Sequence, residues 1–409
     1  MHMVIVGNGA AGLSALSRFR AIDRDSKVTL ISAEAGNAYS RVLLPYYLRR
    51  KIPYENLFIR RPEDYAKLGV RLELGTGVSR VDSESCKLSL EDGRSIGFDR
   101  LLVATGSRPF LPPIEGLAGT NVHHLWTLQD TERLDSLFQS GRRALVLGSG
   151  FIALQAAWAA QQRGLNVTVY ELLPRIMPTV LDEPAAVLLQ RHVEDHGVRV
   201  RVGIQTERID RTKTGVLTVH AENQPPLEVD LIIVGAGVRP NIEFLAGSPV
   251  RTDRGILIDE YMQTTVPGIY AAGDVARGPT SFGETHQTHA LWPTAVEHGR
   301  IAGENLAGRR IPYQGSLNMN VTEMFGITVA SMGKFIEEPG HGSHLQQNGP
   351  SRYLKIVLRE GVPVGAVALG EAEDAVILGR LRPWIRNRRR LPEVEGFLQG
   401  RYLISREVA

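Results

Sequence analysis

Cysteine is the scarcest residue type in the 409-residue chain, which contains only Cys86. A single cysteine excludes an internal disulfide and a dithiol active site. Long apolar runs are also missing: no stretch approaches about 18 consecutive apolar residues, so a transmembrane helix is not expected. The chain has 43% hydrophobic and 22% charged residues. These proportions exclude a disordered, collagenous or coiled-coil protein and indicate a globular one.

Neither sign of charge is in large excess. The chain has 47 lysine and arginine residues against 44 aspartate and glutamate residues, a net charge of +3, which does not by itself predict binding to nucleic acid. The chain begins directly with a strand-like run at residues 3–6, without the pattern of a signal peptide, so a cytoplasmic location is expected. At roughly 150 residues per domain, the length predicts two to three domains.

Glycine is abundant, with 42 residues, and the first cluster follows an apolar run at residues 4–6. The cluster reads Gly7-Asn8-Gly9-Ala10-Ala11-Gly12. It is followed by a helical stretch at 13–21 and an apolar run at 28–31, with Glu34 just beyond. A glycine-rich turn between a buried strand and a helix is the fingerprint of a dinucleotide-binding fold. Its glycines allow a tight bend, the approach of a pyrophosphate and close packing of helix on strand, while the acidic residue accepts hydrogen bonds from a ribose.

A second copy of the pattern lies at residues 144–171. A strand at 144–147 leads into Gly148-Ser149-Gly150-Phe151-Ile152-Ala153, a helix follows, and the next strand ends at Glu171. Two such folds predict two dinucleotides, one held and one exchanged. Glu171 repels a 2′-phosphate and so favours NADH, although Arg175 would weaken this preference. Because Ala153 replaces the third glycine, a second fold that binds nothing is the alternative.

Three further segments end strands with small residues. Residues 101–109 end in Ala-Thr-Gly-Ser-Arg-Pro, and residues 230–241 end in Gly-Ala-Gly-Val-Arg-Pro-Asn. Residues 264–274 deliver Asp274 at the carboxyl end of a strand, where ligands bind in open α/β sheets.

On these motifs, from residue 4 to about 305, the chain resembles the FAD-dependent pyridine nucleotide-disulphide oxidoreductases of the glutathione-reductase-like superfamily. The resemblance implies an α/β fold with two Rossmann-like dinucleotide-binding domains and a small α+β C-terminal domain. It places a discontinuous FAD-binding domain at 1–112 and 237–310, an NAD(H)-binding domain at 113–236 and the small domain at 311–409.

The resemblance also implies which residues bind the cofactors FAD and NAD(H). Val78 would contact adenine through its backbone, and Asp274 would bind the ribityl chain or the pyrophosphate. No covalent catalyst and no metal are expected, because flavin N5 carries out the hydride chemistry. The residues implied for FAD are Gly7, Gly9, Ala10, Ala11, Gly12, Glu34, Arg41, Pro45, Val78, Thr105, Gly106, Gly273, Asp274 and Trp292. Those implied for NAD(H) are Gly148, Gly150, Ala153, Gln155, Glu171 and Gly235.

Several residues near the implied flavin site have an alternative role. Arg41 is either a partner of the flavin phosphate or reduced-flavin charge, or a solvated arginine at a helix start. Trp292 either lies near the isoalloxazine or packs in the core. Gln155 stands where relatives usually have a glutamate close to flavin N5; its amide can contact the nicotinamide carboxamide but cannot act as a carboxylate. His286 and His289 lie either at the flavin edge or in an ordinary interface.

The redox cysteine of the disulphide branch is missing. When the segment is aligned on Leu44-Pro45, the lone-cysteine position of that branch falls on Val42, which cannot form a sulfenate or a mixed disulfide. Cys86 is predicted on a surface strand of a β-hairpin. The chain therefore resembles the cysteine-free branch, with rubredoxin reductases, reductases of ring-hydroxylating oxygenases and the flavin portion of NADH-dependent nitrite reductases. Nitrite reduction itself is not expected, because the cysteine ligands of an iron–sulfur cluster are absent.

The C-terminal region is predicted to contain strands at 318–332, a polar loop at 341–350 and a hairpin around Glu360-Gly361, followed by a helix. The loop histidines have no partners at metal-ligand spacing and are predicted at the surface. Residues 380–390 contain six arginines. This run would dock an acidic electron carrier, form a subunit interface or be a solvated helix face.

The leading functional prediction is an FAD-dependent oxidoreductase that takes a hydride from NADH and passes electrons to a small acidic rubredoxin- or ferredoxin-like protein. The alternative is a flavin-bearing subunit of a larger complex that exchanges electrons between iron–sulfur clusters and NAD. A third possibility is a structural FAD protein with an inactive nicotinamide site. The sequence is compatible with a homodimer and with a complex subunit, and no membrane or nucleic-acid partner is expected.

Overall fold

The computed structural model describes residues 1–119, 121–213, 215–283, 286–347 and 352–399. The chain divides into two compact units. Unit 1 contains Met1–Tyr47, Ile52–Arg108 and Val238–Leu317. Unit 2 contains Leu48–Lys51, Pro109–Gly237 and the chain from Asn318 onward.

Strands and α-helices alternate around the two glycine loops, and runs of consecutive strands make up most of the remaining chain. The strands are β1 His2–Val6, β2 Lys27–Ser32, β3 Ala38–Tyr39, β4 Phe58–Arg60, β5 Val70–Leu74, β6 Val78–Asp82, β7 Lys87–Leu90, β8 Ser95–Gly97, β9 Arg100–Val103, β10 Ser107–Pro109, β11 Val122–His123, β12 Arg143–Leu147, β13 Asn166–Glu171, β14 Arg199–Val202, β15 Thr206–Arg211, β16 Leu217–Ala221, β17 Leu227–Val229, β18 Leu231–Val234, β19 Val238–Pro240, β20 Ile256–Leu257, β21 Ile269–Ala271, β22 Ala276–Pro279, β23 His286–Gln287, β24 Met319–Met324, β25 Ile327–Gly333, β26 His341–Gln347, β27 Tyr353–Arg359 and β28 Val362–Gly370. The α-helices are α1 Ala10–Arg20, α2 Leu44–Leu48, α3 Pro62–Lys67, α4 Leu128–Leu137, α5 Phe151–Gln162, α6 Glu183–Asp195, α7 Trp292–Leu306, α8 Ala372–Arg386 and α9 Val394–Leu398.

A five-stranded parallel sheet with the order β21-β9-β1-β2-β5 forms the centre of unit 1. The central strand β1 is buried from Met3 to Val6. Such continuous burial is typical of a parallel strand covered on both faces. Strand β21 joins the sheet beside β9 although it comes from the last segment of the unit. The first sheet is therefore completed by distant parts of the chain.

Helices α1 and α7 of unit 1 pack with their backbones in close contact. A methyl group at Gly299 would lie 2.2 Å from the carbonyl oxygen of Ala11, and one at Gly303 would lie 2.5 Å from that of Ala15. Glycine at both positions is thus required for the close approach of α7 to α1, the helix that follows the first glycine loop.

Unit 2 contains a parallel sheet with the order β11-β18-β12-β13-β14. Its central strand β12 precedes the second glycine loop, as β1 precedes the first. A three-stranded antiparallel sheet, β15-β16-β17, is attached to it in the chain between β14 and β18. In both parallel sheets, the glycine loop follows the carboxyl end of the central strand, which has a neighbouring strand on each side. Open α/β sheets bind ligands at this edge.

The two similar strand-ending segments meet inside unit 1. The Thr105 hydroxyl donates to the Asn241 carbonyl oxygen at 2.9 Å, and the Asn241 side-chain amide donates to the Thr105 carbonyl oxygen at 2.9 Å. The Asn241 backbone N–H also donates to the carbonyl oxygen of Gly106 at 3.0 Å. This reciprocal pairing joins the end of the second unit-1 segment, Ile52–Arg108, to the start of the third, Val238–Leu317.

The C-terminal part of unit 2 is an antiparallel sheet with the order β24-β25-β28-β27-β26, followed by α8 and α9. The predicted hairpin around Glu360-Gly361 is confirmed by β27 and β28. The predicted polar loop was wrong over 341–347, because these residues form β26, an edge strand paired with β27. Residues 348–350 of that loop lie outside the described residues. Edge strands tolerate polar residues because one side faces solvent.

Hydrogen bonds and ring stacking fasten the C-terminal sheet within unit 2. Asp182, the N-cap of α6, accepts from the Tyr353 hydroxyl at 2.7 Å and the Lys355 ammonium at 3.2 Å. Trp158 of α5 stacks on Phe325 with ring centres 5.5 Å apart. The C-terminal sheet is thus tied to both helices of the second dinucleotide fold.

Within the described ranges, no helix is both long and apolar enough to cross a membrane. The domain boundaries near residues 112, 236 and 310 stay a prediction.

Candidate dinucleotide-binding sites

The glycines of the first loop differ in what surrounds them. Gly7 has a φ of +121°, and a methyl group there would lie 2.0 Å from the carbonyl oxygen of Ala104. One at Gly12 would lie 2.0 Å from the carbonyl oxygen of Gly7. A methyl group at Gly9 would meet no atom within 4 Å. The fold therefore requires glycine at positions 7 and 12, whereas at position 9 the loop faces open space.

Helix α1 begins at Ala10, with Gly9 as N-cap and no side chain hydrogen-bonded to its first turn in the described part of the chain. The first intrahelical bond runs from the N–H of Leu13 to the carbonyl oxygen of Gly9. The N–H groups of Ala10, Ala11 and Gly12 therefore have no intrahelical acceptor, an arrangement that binds anions.

Glu34 lies two residues beyond β2, beside the first loop's strand. The Tyr39 hydroxyl donates to Glu34 Oε2 at 2.6 Å, and the Arg41 guanidinium donates to Glu34 Oε1 at 2.6 Å. Arg41 begins a short 3₁₀ turn, and Pro45 lies in α2 just after it. Arg41 thus starts a helical turn and pairs with Glu34, the candidate for ribose binding, while its role toward the flavin stays a prediction.

Asp274 follows β21 and is only partly exposed, and its burial raises the pKa of its carboxyl group. The Ser107 hydroxyl donates to Asp274 Oδ2 at 2.9 Å. Gly273 has a φ of +80°, and a methyl group there would lie 2.9 Å from Cβ of Ala11. These contacts bring the aspartate motif to the start of α1. Sequence reasoning missed Ser107, although it follows the predicted pair Thr105-Gly106 directly.

Two other predicted flavin residues lie at the starts of elements. Val78 opens β6, and Trp292 opens α7; both are partly exposed. Ala295, one turn after Trp292, lies 3.6 Å from the position of a methyl group on Gly273. The first turn of α7 is therefore beside the Gly273–Asp274 turn.

The second loop repeats the steric pattern of the first. Gly148 has a φ of +99°, and a methyl group there would lie 2.5 Å from the carbonyl oxygen of Gly235. A methyl group at Gly150 would meet no atom within 4 Å. One at Gly235 would lie 2.7 Å from Cβ of Ala153. Glycine at 235 therefore provides the room that Ala153 needs in place of a third glycine.

Glu171 ends β13 and is 7% exposed. Its carboxylate accepts from the Ser149 hydroxyl at 2.5 Å and from the Leu173 N–H at 2.9 Å. An acidic side chain is thus held at the carboxyl edge of the second sheet, next to the glycine loop.

Gln155 faces the C-terminal sheet. Its side-chain amide donates to the carbonyl oxygen of Glu323 at 2.6 Å and to the Thr322 hydroxyl oxygen at 3.1 Å. Its amide oxygen is buried and accepts no hydrogen bond from the described residues. Gln155 therefore has a structural role in unit 2, and its contact with the nicotinamide stays a prediction.

No thiol stands at the position used by the disulphide branch. Val42 lies there and is 51% exposed. Cys86 is exposed with a φ of +52° in the turn before β7, and its thiol contacts the Ser83 carbonyl oxygen at 3.7 Å. The prediction of a strand position for Cys86 was therefore wrong by one residue, because the turn extends to Cys86.

His286 lies in β23, and His289 follows it with a pKa lowered by burial.

Two glycine loops, each with one glycine facing open space and an acidic residue at or just beyond the end of the following strand, define a protein with two dinucleotide-binding folds. A family model for the pyridine nucleotide-disulphide oxidoreductases matches residues 1–299, and one for the C-terminal domain of rubredoxin NAD⁺ reductases matches residues 319–381. The chain belongs to the pyridine nucleotide-disulphide oxidoreductase family.

Individual relatives cover between 78% and 97% of the chain. It is 30% identical over 383 residues to the NADH-dependent phenylglyoxylate dehydrogenase subunit epsilon of Aromatoleum evansii, covering 92% of this chain and 90% of that protein. It is 33% identical over 331 residues to the ferredoxin–NAD⁺ reductase component of the p-cumate 2,3-dioxygenase system of Pseudomonas putida, covering 78% and 80%. The reductase in the covalent complex of putidaredoxin reductase and putidaredoxin matches with a TM-score of 0.87 and 26% identity, over 97% of this chain and 95% of that chain.

These matches confirm the fold class, two Rossmann-like domains with a small C-terminal domain. The protein is an FAD-dependent NAD(P)H oxidoreductase and an electron-transfer flavoprotein, with FAD and NAD(H) as its cofactors. The open space at Gly9, the uncapped start of α1 and the Asp274 carboxyl group fit FAD.

Proposed function

We propose that this protein, in the cytoplasm, takes a hydride from NADH and passes the two electrons singly to a small acidic ferredoxin- or rubredoxin-type carrier. In balanced form, NADH and two oxidised carriers give NAD⁺, one proton and two reduced carriers. FAD supplies the conversion between two-electron hydride transfer and one-electron transfer.

Val42 carries this proposal. The residue where the disulphide branch has its thiol is an exposed valine, and Cys86 lies in an exposed surface turn. The chain therefore offers no thiol acceptor beside the flavin, and electrons must leave to a separate molecule. Relatives support a protein acceptor, because one is named a ferredoxin–NAD⁺ reductase component and another was solved covalently joined to putidaredoxin.

The chain's own residues would bind and orient the cofactors. Gly9 and the start of α1 would hold the FAD pyrophosphate, Glu34 its ribose and Asp274 its ribityl chain. Gly150 and Glu171 would hold NADH in the same way. The remaining predicted residues would line the same two sites.

An arginine cluster after α8 is the proposed docking surface for the carrier. Arg388, Arg389 and Arg390 are exposed, and the next residue, Leu391, donates its N–H to the Gly361 carbonyl oxygen at 2.8 Å. The cluster is thus held beside the β27–β28 turn. A cationic cluster accelerates the encounter with an acidic partner, and the effect decreases as salt screens the charges.

The test is an anaerobic titration of the purified FAD protein with NADH and then NADPH, followed by mixing with oxidised rubredoxin or a ferredoxin. Bleaching of the flavin by NADH and its return on adding carrier is the expected result. Failure of both nucleotides to bleach the flavin would overturn the proposal and favour an inactive nicotinamide site.

A second candidate is a flavin-bearing subunit of a larger complex. It is favoured by the phenylglyoxylate dehydrogenase subunit epsilon, which this chain matches almost end to end. Size-exclusion chromatography of the native extract separates the two: the flavin elutes with the 45.0 kDa chain or its dimer in the first case, and with further subunits in the second.

A further inference from the structure

Ser149, the middle residue of the second glycine loop, forms two hydrogen bonds through its hydroxyl group. It donates to Glu171 Oε2 at 2.5 Å and accepts from the Met177 N–H at 3.1 Å. Ser149 is 1% exposed, so these two contacts are made away from water. Only a residue with a small hydroxyl group can donate and accept in this position.

The partner carboxylate of Glu171 is held at both oxygens. Oε1 accepts from the Leu173 N–H at 2.9 Å, while Oε2 accepts from Ser149. Rotating the carboxylate out of this position would break two hydrogen bonds to a charged acceptor, and such bonds are stronger than neutral ones. Ser149 therefore fixes the position of the negatively charged Glu171 carboxylate at the edge of the second sheet.

We propose that Ser149 is a positioning residue that holds Glu171 in place and thereby sets the preference for NADH over NADPH. The inference rests on the proposed binding of NADH at the second loop. A fixed carboxylate accepts hydrogen bonds from the ribose hydroxyl groups of NADH. It repels the 2′-phosphate of NADPH and cannot move away from it.

The first loop shows a different arrangement. Its middle residue, Asn8, is also held through its side chain, since the Tyr65 hydroxyl donates to Asn8 Oδ1 at 2.6 Å. Glu34 instead receives hydrogen bonds from Tyr39 and Arg41. Within the described residues, loop and acidic side chain are therefore directly joined only in the second fold, where the exchanged nucleotide must be selected at every turnover.

The test compares Ser149→Ala and Ser149→Thr in the FAD-loaded protein. We measure the rate of anaerobic flavin reduction against NADH and NADPH concentration, and the binding of NAD⁺ and NADP⁺ by calorimetry. Ser149→Ala should raise the ratio of NADPH to NADH efficiency about tenfold, the size of one charge-assisted hydrogen bond. Ser149→Thr keeps the hydroxyl group and should retain the original ratio. Ser136→Ala, at an exposed serine of α4, is the matched control. It should change neither the binding of the two nucleotides nor the rate at which they reduce the flavin.

A double-mutant cycle shows whether Ser149 acts through Glu171. In a Glu171→Gln background, Ser149→Ala should no longer change the nucleotide ratio. If Ser149→Ala weakens NADH and NADPH equally, or still changes the ratio in that background, the inference is wrong. Should Ser149→Ala fail to retain FAD, Ser149→Cys, a weaker hydrogen-bonding residue, must shift the ratio in the same direction for the inference to stand. Unbleached flavin in the unchanged protein would instead count against the proposed function.

Discussion

The individual glycines of the two loops separate what the fold needs from what a ligand needs. Gly7 and Gly148 have positive φ values and meet backbone atoms, so a side chain there conflicts with the protein itself. Gly9 and Gly150 have ordinary backbone conformations and face open space. A substitution at Gly9 or Gly150 should therefore affect cofactor binding more than folding.

Gly9→Ala is predicted to fold and to lose FAD affinity by at least about tenfold, because its methyl group occupies the space for the pyrophosphate. The free energy of unfolding of the apoprotein should fall by about 1 kcal/mol, the typical size of a change to alanine at an N-cap. Fluorescence titration of apoprotein with FAD and urea denaturation measure the two effects. Gly7→Ala is the contrasting variant and should fail to fold. Unchanged FAD affinity in Gly9→Ala would contradict the assignment of this space.

Gln155→Glu is predicted to lower the free energy of unfolding by about 1–3 kcal/mol. A carboxylate cannot donate to the Glu323 carbonyl oxygen that the Gln155 amide now contacts at 2.6 Å. Urea denaturation followed by Trp fluorescence measures the change. Gln162→Glu, at the exposed end of the same helix, is the control and should stay within about 0.5 kcal/mol. Equal stability of the two variants would show that the contact with Glu323 is not needed.

The sequence alone predicts the glycines and the acidic residues because each follows a local pattern of strand, turn and helix. It does not predict the residues that hold them. Ser107 contacts Asp274, and Tyr65 contacts Asn8, only after the chain has folded. Gln155 was predicted as a nicotinamide contact, but its bond to Glu323 depends on a sheet whose position no local pattern encodes.

Among the elements, helix α7 combines close packing with a buried titratable residue. His298 is 2% exposed, and neither ring nitrogen has a hydrogen-bond partner among the described residues. The Tyr313 ring meets it edge-on with ring centres 4.9 Å apart. Burial lowers the pKa of His298 to about 4, so the neutral ring is the form compatible with the packed helix.

This burial predicts acid sensitivity of unit 1. Between the unfolded pKa of 6.5 and the folded pKa of about 4, the unfolded chain binds more protons, so the free energy of unfolding falls as pH falls through this window. The full loss is about 3 kcal/mol for this histidine. Urea denaturation of His298→Gln from pH 7 to pH 4 should show a smaller fall than the unchanged protein.

A second buried histidine provides the comparison for unit 2. Burial also lowers the pKa of His123, in β11, to about 4. His123→Gln should therefore remove a separate part of the acid-induced loss of stability, and the two variants together should remove both. An identical pH dependence in His298→Gln and the unchanged protein would contradict the assignment to His298.

Elements with a strong apolar pattern are the predictable ones. Strands β1 and β12 and the β27–β28 hairpin each show an apolar run bounded by glycine or polar turn residues. Strand β26 is polar throughout its described side chains, and it forms because β27 supplies hydrogen-bond partners along its length. That pairing is a tertiary property, which explains why the segment was predicted as a loop.

For the whole molecule, the division into units separates the predicted FAD site from the predicted NAD(H) site. All predicted FAD residues belong to unit 1, and all predicted NAD(H) residues belong to unit 2. A ligand stabilises the folded form it binds, by about 2.7 kcal/mol when its free concentration is 100 times its dissociation constant. Removing FAD should therefore weaken unit 1 specifically.

Hydrogen–deuterium exchange of apoprotein and FAD-loaded protein measures this effect along the chain. FAD should slow exchange most in the glycine loop, β9 and α7, and NAD⁺ should slow it most in β12, α5 and β13. Gly9→Ala with added FAD is the control and should resemble the apoprotein. Equal protection of both parallel sheets by FAD alone would contradict the separate assignment.

The late arrival of β21 in the first parallel sheet has a consequence for how the protein is made. Domains generally fold as units as the chain leaves the ribosome. The second parallel sheet lies within one uninterrupted stretch, Pro109–Gly237, whereas the first needs β21 and α7, which are translated afterwards. The parallel sheet of unit 1 is therefore completed after the parallel sheet of unit 2, although unit 1 contains the first residues of the chain. Translation that stops before residue 271 leaves a nascent chain with a complete second sheet and no finished place for its flavin.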